Sequence, residues 1–147
     1  MKRPLLIAVA VVAFLGVSFL VARWLNSDAV ERAAVVELLR DQARGDAAAM
    51  LRRLEGCGDP DCTALVRRNA ERLRSSGDLK VALYQSQTAH ALTSRTSFTR
   101  VVWFTPGRLT TVQCVLVRRD GNVVAGMTVS LLRVTAPIGR QSSCPST

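Results

Sequence analysis

Side chains that could do acid–base chemistry are few and scattered in the second half of this chain. Tyr84 and the only histidine, His90, lie in stretches with strand-like alternation, and Asp120 belongs to an Asp-Gly turn. Tyr84 and His90 could line a pocket together, with Trp103 as an aromatic wall, or all three could be ordinary strand and core residues. The sequence has no Ser-His-Asp order and no phosphate-binding glycine loop, so no catalytic residue is assigned.

The four cysteines, Cys57, Cys62, Cys114 and Cys144, allow three disulfide pairings. An even number of cysteines in an exported domain favours disulfides over free thiols. We favour the pairing in which Cys57 and Cys62 close a short loop and Cys114 and Cys144 tie the tail to a strand. A metal site is the weaker interpretation, because the C-x4-C spacing lacks the usual tight pairing and His90 lies far from it. The C-x-x-C redox motif is missing. No metal ion or other cofactor is therefore expected.

The formal net charge of +9 is unevenly distributed along the chain. Residues 23–78 carry ten arginines and ten acids, whereas residues 79–147 carry one lysine and seven arginines against one aspartate. The excess could be a solvated basic face, or a patch for the anionic headgroups of a lipid bilayer or another polyanion. Nucleic acid is not an expected partner, because the sequence has no recognition motif and no aromatic stacking platform. The candidate contacts to an anionic surface are Arg100, Arg118, Arg119 and Arg133.

The N-terminal segment determines the expected location of the protein. Lys2, Arg3 and Pro4 precede eighteen uncharged residues, Leu5 to Ala22. A helix of that length spans roughly 27 Å, against about 30 Å for the hydrocarbon core of a bilayer. An uncleaved transmembrane anchor, a cleaved signal peptide and a buried core helix are the three interpretations. We favour the anchor, because small residues at positions −3 and −1 of a cleavage site are hard to place.

The positive-inside rule then sets the orientation of the chain. It predicts a cytoplasmic tail at residues 1–4, a transmembrane anchor at residues 5–25 and an extracytoplasmic domain at residues 26–147. The part that follows the anchor is long enough for one domain with a real core. The sequence therefore predicts a single-pass cell-membrane protein with its N-terminus in the cytoplasm.

Three helices are predicted in the first half of the domain. Asp28 to Glu31 has the D-x-x-E form of a capping box and predicts the start of the first helix. Gly45-Asp46 interrupts this helix and caps the second, Ala47 to Leu54. Asp59-Pro60 begins the third helix, which ends at Ser75 to Gly77.

Apolar residues recur with a period of two after Asp78, which predicts strands. In the first strand, Val81 and Leu83 fall on the face opposite to Tyr84. Asp120-Gly121 is a strong hairpin signal. The predicted strands are Leu79–Tyr84, a weaker Thr88–Thr93, Phe98–Phe104, Thr111–Arg119 and Val123–Val134 with a bulge at Gly126.

This order of elements predicts an α+β fold. An N-terminal transmembrane helix is followed by about three helices packed on a curved antiparallel sheet of about four to five strands. The order resembles the nuclear transport factor 2-like, cystatin-like superfamily. The resemblance rests on Asp28 to Leu54, where a first helix runs into the restart GDAAAMLRRL, and on the hairpins rich in Val and Thr that follow. The resemblance covers most of residues 28–136. The chain departs from the pattern of the superfamily because it lacks a convincing strand between the second and third helices.

The resemblance also implies a function. The superfamily includes ketosteroid isomerases and polyketide cyclases, which use carboxylates and tyrosine in a cone-shaped pocket. It also includes non-enzymatic exported domains of type IV secretion scaffolds and of Mce-associated membrane proteins, whose layout is similar to that of this chain. The expected function is that of a bacterial, membrane-anchored extracytoplasmic binding or assembly module without catalytic activity. Its expected partners are the lipid bilayer and a protein of the membrane or cell envelope. The alternative is a protein that binds a small apolar ligand, or a ketosteroid-isomerase-like enzyme.

Overall fold

The computed structural model describes residues 2–88, 93–122 and 126–146, and in this part of the chain three helices precede a four-stranded antiparallel sheet. The strands lie in chain order, β1-β2-β3-β4, so the sheet is a meander. The predicted α+β arrangement of helices and sheet is confirmed. The elements are α1 (Lys2–Arg44), α2 (Ala47–Arg53), α3 (Pro60–Arg72), β1 (Lys80–Ser86), β2 (Thr93–Phe104), β3 (Thr111–Asn122) and β4 (Gly126–Val134).

A single helix, α1, replaces both the predicted anchor and the predicted first helix of the domain. The prediction of a transmembrane helix at residues 5–25, and with it of a single-pass membrane protein, is wrong. Within the described residues, no helix is long and apolar enough to cross a membrane.

The D-x-x-E pattern of residues 28–31 does not start a helix. Both Asp28 and Glu31 lie well inside α1, so neither caps a helix N-terminus. Their side chains are instead available for contacts with other elements, which the candidate site described below depends on.

The two shorter helices begin where their capping residues predict. The carboxylate of Asp46 accepts a hydrogen bond from the backbone N–H of Ala49 at 2.8 Å and precedes α2. The carboxylate of Asp59 accepts one from the backbone N–H of Cys62 at 2.8 Å, and Pro60 is the first residue of α3. Each carboxylate satisfies one of the amide groups that a helix N-terminus leaves without a partner. Both predicted helix starts are confirmed.

The strands agree with the predicted segments except near their ends. The predicted weak strand at 88–93 falls mostly on residues 89–92, which lie outside the described residues. Thr88 follows β1, and Thr93 begins β2. The described residues therefore form four strands, within the four to five that the sequence predicted.

The β3–β4 hairpin begins later than predicted. Asp120 and Gly121 do not form its turn, because they still pair with Thr128 and Met127 of β4. The pairing continues to Asn122 and Gly126, and residues 123–125 lie outside the described residues. Gly121 has a φ of +110° within this pairing, a backbone conformation that favours glycine.

The apolar core lies between the three helices and the inner face of the sheet. Its fully buried members include Val35 and Leu38 of α1, Val66 of α3, and Val101 and Val115 of the central strands. Burial of such side chains stabilises the fold by roughly 1.5–3 kcal/mol each.

Two disulfides complete the fold and confirm the favoured pairing. Cys57–Cys62 closes the loop between α2 and α3, and Cys114–Cys144 ties the C-terminal tail to β3. No free cysteine remains. Disulfides of this kind form and persist in oxidising compartments.

Candidate functional site

Two oppositely charged residues stand at inward positions of α1 and β3. Glu31 lies on the same helical stripe as the buried Val35 and Leu38, and Arg119 continues the inward alternation of Val117 along β3. Both charged side chains are 0% exposed. Since an unpaired charge in the interior is costly, these two residues must face each other.

The Glu31 carboxylate joins α1 to the sheet through four donor groups. Its Oε1 accepts hydrogen bonds from the hydroxyls of Tyr84 and Thr99, each at 2.8 Å. Its Oε2 accepts from the Thr88 hydroxyl at 2.5 Å and from Nε of Arg119 at 2.7 Å. A carboxylate has about four lone-pair positions, so these contacts use its accepting capacity.

The Arg119 guanidinium extends the cluster to a second carboxylate. Its Nη2 lies 2.6 Å from Oε2 of Glu31 and 2.6 Å from Oδ1 of Asp28, one helical turn earlier on α1. We call Asp28, Glu31, Tyr84, Thr88, Thr99 and Arg119 the Glu31 cluster.

The protonation states in the Glu31 cluster are held by its own contacts. Burial raises the pKa of Glu31, but hydrogen bonds from hydroxyls, that of Thr88 first, outweigh it and bring the pKa below the usual 4.5. Burial and the nearby Glu31 carboxylate raise the pKa of Tyr84 above its usual 10.0. Burial lowers the pKa of Arg119, and the carboxylates of Asp28 and Glu31 more than compensate. At neutral pH Glu31 and Arg119 therefore form an ion pair, and Tyr84 is neutral.

A pocket of about 490 Å³ opens beside the Glu31 cluster, between α1 and β1. The guanidinium of Arg32 stands over the Tyr84 ring, 5.8 Å from its centroid, in a cation–π contact. The pocket thus presents an aromatic ring, a carboxylate and a guanidinium within one cavity of the size typical for small-ligand sites. We call it the α1–β1 pocket; it is lined by Asp28, Ala29, Arg32, Tyr84, Gln85, Ser86 and Arg119.

The structure separates the three residues that the sequence offered as ligand-binding candidates. Tyr84 lines the α1–β1 pocket. Trp103 is buried elsewhere on the inner face, where its Nε1 donates to Oε1 of Gln113 at 2.9 Å, and it borders a different cavity of about 330 Å³ near the β2–β3 turn. His90 lies outside the described residues.

The four candidate arginines do not form one basic surface. Arg119 is buried against α1, and Arg100 donates to the backbone oxygen of Arg140 in the tail at 2.6 Å. Arg118 and Arg133 are about half exposed and are paired with carboxylates. The pairs are Arg118 with Glu55 and Asp120, and Arg133 with Asp59.

These pairs show how the uneven charge of the sequence is balanced in space. The partners of Arg118, Arg119 and Arg133 include acids that come from the neutral helical half of the chain, namely Asp28, Glu31, Glu55 and Asp59.

The sequence contains a signal for the Glu31 cluster that the capping-box interpretation does not use. Glu31 occupies a buried stripe of α1, whereas the neighbouring Val30 is 47% exposed. Arg119 likewise occupies a buried position in a strand. Opposite charges at two inward positions are a signal for a buried ion pair.

The described residues contain no group of three His, Cys, Asp or Glu side chains placed to hold a metal ion. Comparison of the chain with protein-family models, with curated proteins and with solved structures gives no match in any of the three. What the site can do must therefore be argued from its own geometry.

Proposed function

We propose that this chain is a binding module and that its ligand occupies the α1–β1 pocket. The observation that carries the proposal is the saturated carboxylate of Glu31, which binds two residues of the pocket wall, Tyr84 and Arg119. Its four donor groups come from β1, β2, β3 and Thr88, two residues after the end of β1. The pocket wall is thereby held in one arrangement before any ligand enters, which reduces the entropic cost of binding.

The same contacts argue against catalysis by the Glu31 cluster. A general base needs a free lone pair and a pKa near the working pH, whereas the lone pairs of Glu31 are in use and its pKa is lowered. The Tyr84 hydroxyl donates its proton to Glu31 and so has none to give to an oxyanion. An isomerase-like role would require a Glu31 carboxylate with a free lone pair and a pKa near the working pH, and a Tyr84 hydroxyl free to donate to an oxyanion.

The disulfides support an oxidising, extracellular setting for this binding. Cys114–Cys144 fixes the tail on the outer face of the sheet, opposite to the pocket, and Cys57–Cys62 stabilises the loop between two helices. The resemblance to the nuclear transport factor 2-like superfamily, and a partner in the cell envelope, stay predictions that this proposal does not require.

Fragment binding followed by NMR tests the proposal. The full-length protein, labelled with ¹⁵N, is titrated with a library of small aromatic carboxylates and amines. We expect the shifted amides to cluster at residues 28–32 and 84–86. Ala29→Trp, which fills the pocket from an exposed position on its wall, should abolish the shifts.

Ala48→Trp is the matched control, because Ala48 is also an exposed alanine on a helix but lies on α2, away from the pocket. It should leave the shifts unchanged. Fragments that bind elsewhere on the protein, or that bind equally well to the Ala29→Trp variant, would refute the assignment of the pocket.

A further inference from the structure

Within the described residues, the rest of the chain covers the β4 edge of the sheet but not the β1 edge. The β4 edge is covered, because Leu54 forms a bridge with Leu131 and the backbone N–H of Glu55 donates to the Leu131 oxygen at 2.8 Å. Gly56 keeps this cover close, since a Cβ there would lie 2.8 Å from the backbone oxygen of Leu132. The β1 edge has no such cover: within the described residues, no backbone hydrogen bond joins it to anything but β2. An open edge is a template for a further strand.

The α1–β1 pocket reaches this open edge. Three consecutive residues of β1, Tyr84, Gln85 and Ser86, line the pocket. Since β2 occupies one side of β1, a segment added to the unpaired side would lie beside these pocket residues.

Both carboxylates of the Glu31 cluster are bound to Arg119, and two further arginines lie beside this edge. Arg32 lies over the Tyr84 ring on the helix side, and Arg100 lies opposite Gln85 on β2 and donates to its Oε1 at 3.3 Å. Within the described residues, neither arginine is paired with a carboxylate, in contrast to Arg118 and Arg133 at the β4 edge. Arg100 also donates to the backbone oxygens of Ser142 and Arg140, so Arg32 is the cation at this edge that would attract a negatively charged partner.

We propose that an extended, acidic segment of a partner protein adds to β1 as a fifth strand and places one side chain in the α1–β1 pocket. The inference rests on the proposed function and names the class of its ligand. In this mode of recognition, main-chain hydrogen bonds provide affinity and the pocket provides specificity. The ladder irregularity between Val81 and Leu83 confines regular pairing to Leu83 through Ser86, so the added strand is short.

A second copy of this chain is a poorer occupant of the same edge. Pairing of two β1 strands around a two-fold axis would place Arg32 and Arg100 of each copy on the two sides of one seam, where their positive charges repel. An acidic segment meets the same arginines with opposite charge.

Selection from a displayed library of random linear dodecapeptides, with the full-length protein as bait, tests the inference. We expect the selected peptides to be enriched in Asp and Glu. A bound peptide should slow amide hydrogen exchange at residues 83–86, and its affinity should fall about tenfold or more when salt is raised from about 50 to 500 mM, since exposed ion pairs are screened. Methylation of alternate peptide amides should abolish binding, which a contact through side chains alone would not explain.

Two arginine variants distinguish this edge from the rest of the surface. Arg32→Gln should weaken the selected peptides by about two- to fivefold, the size expected for an exposed charge contact. Arg118→Gln, which removes an arginine on β3 near the covered β4 edge, should leave their affinity unchanged. Equal effects of the two variants, or protection of β4 amides instead of β1 amides, would overturn the inference.

The remaining outcomes separate this inference from the proposed function. If fragments occupy the pocket but no peptide protects the β1 amides, the binding module stands and the acidic strand is refuted. If neither fragments nor peptides bind there, both are refuted. If the protein itself dimerises with protection at residues 83–86, the occupant is a second copy and the inference is wrong.

Discussion

Replacement of Glu31 by glutamine tests whether the Glu31 cluster holds α1 on the sheet. The glutamine oxygen can still accept from Tyr84 and Thr99, but its NH₂ group would replace the oxygen that now accepts from Thr88 and Arg119. The Thr88 hydroxyl and Nε of Arg119 would then both face the donor NH₂ group of the glutamine. Arg119 would keep Asp28 as a partner, at 2.6 Å, so the loss is not that of a completely unpaired charge.

The expected loss follows from these contacts. A hydrogen bond to a charged group contributes about 1.5–3 kcal/mol, and removal of one partner of a buried ion pair costs about 3–5 kcal/mol. We expect the free energy of unfolding of Glu31→Gln to fall by about 3–5 kcal/mol, which for a chain of 147 residues lowers the melting temperature by roughly 10–15 °C. Denaturant titration of the full-length protein with intact disulfides, followed by circular dichroism, measures it.

A double-mutant cycle shows whether the loss belongs to the pair. Arg119→Met should cost a similar amount, because it leaves the buried Glu31 carboxylate without its cation. The double variant should lose less than the sum of the two, by about 1–3 kcal/mol. Arg118→Met is the matched control: it is the neighbouring arginine, its side chain is 42% exposed, and its pairs should contribute about 0–1 kcal/mol. The reasoning would be refuted if Glu31→Gln and Arg118→Met destabilised the protein equally, each by less than about 1 kcal/mol.

Three further predictions follow from local features. The pKa of Glu31 is lower in the folded protein than its usual value of 4.5. The stabilisation by Glu31 should therefore be complete above pH 4.5 and should be lost as the pH falls below that value. Urea midpoints measured against pH should show this decline in the wild type and not in Glu31→Gln. Removal of the tail disulfide by Cys114→Ala with Cys144→Ala opens a loop of 30 residues and should lower the free energy of unfolding by about 3–4 kcal/mol. A variant as stable as the wild type would show that the disulfide does not stabilise the fold. Gly121→Ala places a Cβ 2.2 Å from a backbone oxygen, at a φ of +110°, and should lower the free energy of unfolding by about 2 kcal/mol or more. Gly58 has open space around it, so Gly58→Ala should lower it by about 1 kcal/mol or less. Equal melting temperatures for the two variants would contradict this.

Local signals in the sequence predicted the parts of the fold that depend on local contacts. The starts of α2 and α3 were predicted from Asp46 and Asp59, because a capping carboxylate bonds an amide only three residues away. Asp28 to Glu31 has the same local pattern but lies within α1, because a D-x-x-E sequence is compatible with a helix interior when tertiary contacts use its carboxylates.

The candidate site could not be predicted in the same way, because it depends on a shift in strand register. Regular alternation placed Tyr84 on the face opposite to Val81. The irregularity between Val81 and Leu83 adds a residue to β1, so Val81 and Tyr84 both pack toward the core and Leu83 is 43% exposed. A bulge is set by the pairing of two strands, and it reverses the direction of every side chain that follows it.

The position of α1 on the sheet is specified by polar contacts at two points rather than by apolar packing alone. At one end the Glu31 cluster binds it, and further along Gln42 exchanges hydrogen bonds with Gln113 of β3, with Nε2 of Gln42 2.8 Å from Oε1 of Gln113. Eleven residues separate the two points, about 16 Å along the helix. Apolar side chains tolerate a small slide or rotation of a helix at little cost, whereas a buried carboxylate and a buried amide do not, since each must keep its own partners. The two contacts therefore fix both the rotation and the translation of α1, and with them the width of a pocket that has α1 as one wall and β1 as the other.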